Sequence, residues 1–218
     1  MRFVDFKKIP RLSRDMIISE KIDGSNGQVA IIPSDSEEFI GCEDGFIEQC
    51  CLATKQIDET KWLYMFAGSR NRWLSTGKQN DNMGFATWVK ENSEELFQLG
   101  PGRHFGEWYG KGINRGYGLE EKRWALFNVS KWQNKNLPLV DEKQKYPPSC
   151  CEVVPILYEG VFDTQMIDVV LHQLEREGSR AVSGYMNPEG ICIYHTAAGQ
   201  YFKKTITNDS QPKGVING

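Results

Sequence analysis

The chain has 218 residues, of which 39% are hydrophobic and 25% charged, with a formal net charge of −3; this is an ordinary globular composition, long enough for a sizeable core. The slight acidity excludes a surface coated in basic residues, so any nucleic acid must be met by cations gathered in a groove. No apolar run reaches the roughly 18 residues of a membrane span, and MRFVDFKKIPRLSRD lacks the apolar stretch of a signal peptide, so no membrane partner and a cytoplasmic protein are expected.

In chain order, MIISE and QVAII read as strands on either side of a turn at Ile22-Asp23-Gly24. Segments rich in β-branched and aromatic residues follow at Gly27–Pro33, His104–Tyr109, Trp124–Val129, Cys151–Leu157, Gly190–His195 and Gln200–Thr207, each bounded by Gly, Pro, Asn or Asp. Helical spacing of Phe85, Trp88, Val89, Leu96 and Phe97 predicts a helix over Asn82–Leu99. Ile167, Val170, Leu171 and Leu174 predict a second over Thr164–Glu177, capped by Asp163 and ended by Gly178. Gln133–Ser149 is polar and proline-bearing and reads as a surface loop. Strands and helices without strict alternation imply an α+β fold of antiparallel and mixed sheets with flanking helices, a single domain over residues 1–218.

Six cysteines, at 42, 50, 51, 150, 151 and 192, show neither CxxC nor Cys/His spacing and read as reduced structural thiols. The chemistry gathers elsewhere. Lys21 stands in SEKIDGSNG between Glu20 and Asp23. A lysine amine, with a reference pKa of roughly 10.4, is protonated and a poor nucleophile unless a cation, a metal or desolvation acts on it. Asp23 could orient the amine or a metal-bound water; the competing reading is a surface ion pair in a hairpin turn. HFGEWYG places one carboxylate, Glu107, in an apolar, glycine-bracketed segment where burial is costly without a partner. PEGICI repeats the arrangement with Glu189. In YFKKT, strand alternation sends Lys203 and Lys204 to opposite faces. Gly110–Gly116 is glycine-rich and basic, and reads as a flexible loop that could touch a nucleic-acid backbone.

Taken in order, EKIDGSN, GSRNRWL, FGEWYG, WALFNV, EGICI and YFKKTI resemble motifs I, Ia, III, IIIa, IV and V of the covalent nucleotidyltransferases, the superfamily of ATP-dependent ligases and capping enzymes. The resemblance implies an adenylation domain of ATP-grasp-like build. Lys21 would attack the α-phosphorus of ATP and carry AMP. Arg70 and Glu107 would hold the ribose, and Phe127, or Trp124 in its place, would stack on adenine. Glu189 would bind or orient a magnesium or manganese ion, and Lys203 or Lys204 would contact the α-phosphate. Glu20 and Asn26, flanking the nucleophile, would help recognise the nucleotide and the incoming 5′-phosphate.

Asn26, GSRNRW and LFNVSKW make the chain most similar to RNA ligases of the second phage type, although Asp23 stands where their best-known members have histidine. The adjacent lysines of YFKKT also depart from the family's usual pair one residue apart. Thirteen residues follow Thr205, so no OB-fold is expected. The implied reaction joins a 5′-phosphate to a 3′-hydroxyl of a nucleic acid, with RNA the expected substrate and a monomer the expected state. A DNA ligase, a capping-type guanylyltransferase and an inactive nucleic-acid-binding module are the competing readings.

Overall fold

The computed structural model describes residues 3–6, 8–77, 79–207 and 209. It divides into two compact units: Met1–Ile22 with Pro155–Gly218, and Asp23–Val154. The chain passes from one to the other at the motif that carries Lys21.

The first unit is built on a four-stranded antiparallel sheet of β1 (Asp15–Lys21), β9 (Ile156–Val161), β10 (Gly190–His195) and β11 (Gln200–Thr205), in the order β11-β10-β1-β9. Alternation puts Met16, Ile18, Ile191 and Ile193 on one face, where they pack on Val170, Leu171 and Leu174 of the long helix Thr164–Glu177. That helix has the predicted bounds. The Asp163 side chain accepts from the Gln165 amide at 2.8 Å, and Gly178, at φ 82°, takes the left-handed turn that ends it.

The second unit holds a seven-stranded sheet: β2 (Ser25–Pro33), β3 (Cys51–Gln56), β4 (Trp62–Gly68), β5 (Trp73–Leu74), β6 (Gly102–Gly110), β7 (Lys122–Leu126) and β8 (Cys151–Val153). The order is β3-β4-β2-β6-β7-β8 with β5 beside β4, and only β7 and β8 pair in parallel. One face carries the main core, in which Val29, Ile31, Met65, Trp108 and Trp124 meet Phe85, Ala86 and Val89 of a short helix. On the other face Ala30, Ile32 and Phe66 pack beneath Phe39, Phe46 and Trp73.

The α+β class with antiparallel and mixed sheets stands; several boundaries do not. β1 and β2 lie in different sheets, so the turn between them is not a hairpin. The expected strand Cys151–Leu157 is two strands in two sheets, separated at Val154-Pro155, where proline has no N–H to continue a ladder. The helix expected over Asn82–Leu99 starts at Phe85, because Asn82, Met83 and Gly84 take φ of 47°, 57° and 88°. It breaks at Asn92 into Phe85–Glu91, Ser93–Leu96 and a 3₁₀ turn at Phe97–Leu99. Among the described residues, no helix is long and apolar enough to cross a membrane.

His104 lies buried on β6 and its Nε2 donates to the Gly100 carbonyl at 2.9 Å. Burial lowers its pKa from the ordinary 6.5, so the fold holds it neutral. A depressed pKa contributes stability above the unfolded value, and that contribution is lost as pH falls below 6.5 toward the folded value. Urea midpoints should therefore drop between pH 7.5 and 5. His104→Gln, which keeps a donor for Gly100 and does not titrate, should show a smaller drop.

Candidate active site

Each unit gathers its own share of the expected residues. In the first, Lys21 ends β1 directly opposite Gly190, the first residue of β10. Glu189 precedes that glycine, and the Lys21 Nζ donates to its Oε2 in an ion pair whose side chains are 17% and 8% exposed. Partial burial makes each charge need the other, since an uncompensated buried charge is strongly destabilising. Gly190 has to be glycine. A Cβ there would stand 2.3 Å from the Lys204 carbonyl oxygen on β11.

Alternation separates Glu20 from Lys21. Glu20 shares the α-helical face with Met16 and Ile18, is 1% exposed, and accepts from Ser179 Oγ at 2.6 Å, Arg180 N at 2.7 Å and Ala181 N at 2.9 Å. Burial pushes its pKa up, against the pull of these three hydrogen bonds. Its carboxylate therefore anchors the 179–181 turn. The two lysines of β11 divide in the same way. Lys204 pairs with core residue Ile191, and its Nζ bonds Asp168 of the long helix. Lys203 pairs with Cys192, which pairs with Ser19, on the sheet face that also carries Lys21.

In the second unit, Asn26 on β2 sits opposite Glu107 on β6. Glu107 is 9% exposed; its Oε1 accepts from Gly24 N at 3.0 Å and its Oε2 from Asn26 Nδ2 at 3.2 Å. Asn26 Oδ1 accepts in turn from Arg70 Nε at 3.0 Å, so three expected residues form one polar row. At Gly24 a Cβ would stand 2.3 Å from the Trp108 carbonyl oxygen, which excludes any other residue there.

Asp23 is fully committed. Its Oδ1 accepts from Asn114 Nδ2 at 3.0 Å and its Oδ2 from Arg115 Nε at 3.1 Å. Its backbone N donates to Tyr117 Oη at 2.8 Å, and Asn114 Nδ2 also reaches the Gly24 carbonyl at 2.7 Å. Asn114 and Tyr117 take left-handed φ of 44° and 55°, unusual for side-chain-bearing residues. The glycine-rich loop is thus fastened to the turn after Lys21, a role that its sequence conceals: it offers only ordinary polar residues between glycines.

Phe127 lies one step beyond β7; its N donates to the Phe105 carbonyl at 2.9 Å, and it is half-buried. Alternation from Ala125, the partner of Glu107, sets it on the Glu107 face. Trp124 falls on the other face, 0% exposed among core aromatics, and cannot serve in its place. Phe105, 50% exposed, joins Phe127 on the open face, and the sequence reading missed it. Among the described residues no three His, Cys, Asp or Glu side chains cluster as a metal cage. A divalent cation here would resemble magnesium sites made of one carboxylate and substrate phosphates, a donor set that Glu189 fits.

A family model described as RNA ligase matches residues 14–205. No curated protein matches the chain. Among solved structures, an apo mutant of a Naegleria gruberi RNA ligase is similar at 16% identity, with 88% of this chain and 50% of that chain covered and a TM-score of 0.50. A Naegleria gruberi RNA ligase mutant with ATP and Mn gives 15% identity, 88% and 48% coverage and a TM-score of 0.49. The chain spans about half the length of these relatives.

Glu20→Ala should leave Ser179 Oγ and the Arg180 N–H without their acceptor, and the Ala181 N–H with Ser179 Oγ alone. A loss of about 2–4 kcal/mol is expected, more than one ordinary hydrogen bond. Denaturant titration measures it, and limited proteolysis should locate new cleavage at 179–182.

Proposed function

The chain belongs to the RNA ligase family, and we propose that it is an ATP-dependent RNA ligase of the second phage type, acting through a lysyl-AMP intermediate. The observation that carries this reading is the Lys21–Glu189 pair at the end of β1, with Lys203 on the same sheet face.

In the proposed sequence, Lys21 Nζ gives up its ammonium proton to solvent and attacks the α-phosphorus of ATP; a P–N bond forms, the α–β P–O bond breaks, pyrophosphate leaves, and the nitrogen sheds a second proton to water. An oxygen of a 5′-phosphate then attacks the same phosphorus, the P–N bond breaks, and the lysine recovers both protons. A 3′-hydroxyl finally attacks the activated 5′-phosphate and AMP leaves. Such chemistry rests on positioning and charge stabilisation. Lys203 supplies the cation for the α-phosphate, whereas Lys204 supports the sheet through Asp168. Glu107 accepts from a ribose hydroxyl, with Asn26 and Arg70 extending that polar row, and Phe127 stacks on the adenine. Asp23 is a positioning residue that fixes the turn after Lys21. Glu189 would hold magnesium or manganese, which offsets phosphate charge when bound. The two units together make one adenylation domain, working as a monomer in cytoplasmic RNA repair on ends that bear a 5′-phosphate and a 3′-hydroxyl.

Incubation with α-labelled ATP and magnesium or manganese should label the intact chain and not Lys21→Ala; equal labelling of both overturns the proposal. Preferential labelling by GTP would point instead to a capping-type enzyme. Lys203→Ala should lower the labelling rate about 100-fold or more, the usual cost of a lost transition-state donor. Lys204→Ala should cost only a few-fold, because an exposed ion pair contributes about 0–1 kcal/mol.

A further inference from the structure

Three buried side-chain nitrogens among the described residues have no hydrogen-bond partner: Gln28 Nε2, Asn82 Nδ2 and Trp124 Nε1. Trp124 belongs to the main core, and the Asn82 side chain meets Ser25, whose partner Trp108 lies on that same core face. Gln28 alone lies on the Glu107 face. It follows Asn26 by two residues on β2, and its cross-strand partners are Phe105 on β6 and Gly68 on β4. Phe127 continues that row through its bond to Phe105. A side chain at Gly68 would begin 3.5 Å from the Trp73 ring and 3.6 Å from Gln28 Cβ, so Gln28 leaves β2 beside the strand position that the Trp73 ring adjoins, with the exposed Phe105 as its partner on the other side.

A buried amide nitrogen without a partner is costly, and its retention on a half-buried side chain calls for an explanation. A hydrophobic side chain of similar length would fill the same space without that cost. We infer that Gln28 reads the base of the bound nucleotide, its amide pairing with the exocyclic amine and adjacent ring nitrogen of adenine. The inference rests on the proposal that the Glu107 face binds ATP. In this pairing Gln28 Nε2 donates to N7 and Gln28 Oε1 accepts from the N6 amine, the match by which glutamine selects adenine in general. Guanine presents two acceptors on that edge, O6 and N7. Turning the amide over does not help, since its oxygen still meets an acceptor.

Binding of ATP, GTP and 7-deaza-ATP to the Lys21→Ala chain, with Gln28 intact and with Gln28→Ala, tests this apart from covalent labelling. With Gln28 intact, ATP should bind at least about tenfold more tightly than either analogue, the discrimination of one bidentate contact. Gln28→Ala should bring the three affinities together and leave the melting temperature unchanged or raised. Equal binding of all three with Gln28 intact overturns the inference, as does a Gln28→Ala chain that is less stable yet still discriminates. If discrimination follows Gln28 but the Lys21-intact chain takes no label, the ligase reading fails and the base-reading role stands. Absence of nucleotide binding overturns both.

Discussion

The register between β1 and β10 sets Lys21 opposite Gly190 and brings Glu189 against the lysine amine. Two close approaches make it possible. Gly190 has no Cβ to push β11 away, and strand pleating leaves Glu20 turned toward the helix while Lys21 turns the other way. The same alternation decides between the adjacent lysines of β11. A change of register by one residue would exchange every one of these side chains between faces. The face that carries Lys21 is therefore specified by the apolar residues Met16, Ile18, Ile191 and Ile193, which hold the sheet in register by burying the other face.

The second unit solves a related problem with hydrogen bonds. Glu107 sits in an apolar strand, where an unsatisfied carboxylate would be expensive; Gly24 and Asn26 each give it a donor. Asn26 has its oxygen left for Arg70, so a single amide orients both an anion and a cation. Asp23 is held by a second set of contacts. Both of its oxygens are engaged by Asn114 and Arg115, and its backbone by a Tyr117 held in a left-handed conformation. An acid with both oxygens occupied is a strut: its short side chain lets the 110–117 loop close over the turn.

Several residues of this arrangement were legible in the sequence because they stand at strand ends beside glycines, where motif and local structure coincide; their pairings with one another were not. β10 and the long helix have the bounds that periodicity and capping gave them. Trp124 could have been placed by alternation alone, since it is in phase with Leu126 and out of phase with Phe127. The separation of β1 from β2, and of Cys151–Val153 from Ile156–Val161, depends on pairing between segments more than a hundred residues apart in the case of β1 and β10. No local window records that choice. β3 and β4 escaped the reading because their outer halves are polar or exposed, with Lys55, Gln56 and Trp62 facing water. Asn114 and Arg115 escaped it because nothing in a glycine-rich loop says which distant carboxylate it will meet.

The chain's net negative charge is compatible with an anionic ligand because pairing is uneven. Lys21 is matched by Glu189, Lys204 by Asp168 and Arg115 by Asp23. Arg70 meets the neutral amide of Asn26, and among the described residues neither it nor Lys203 forms an ion pair. A paired cation must lose its carboxylate before it can serve a phosphate, whereas an unpaired and exposed one forfeits only water. Local pairing, and not total charge, decides which of the described cations stand without a carboxylate partner.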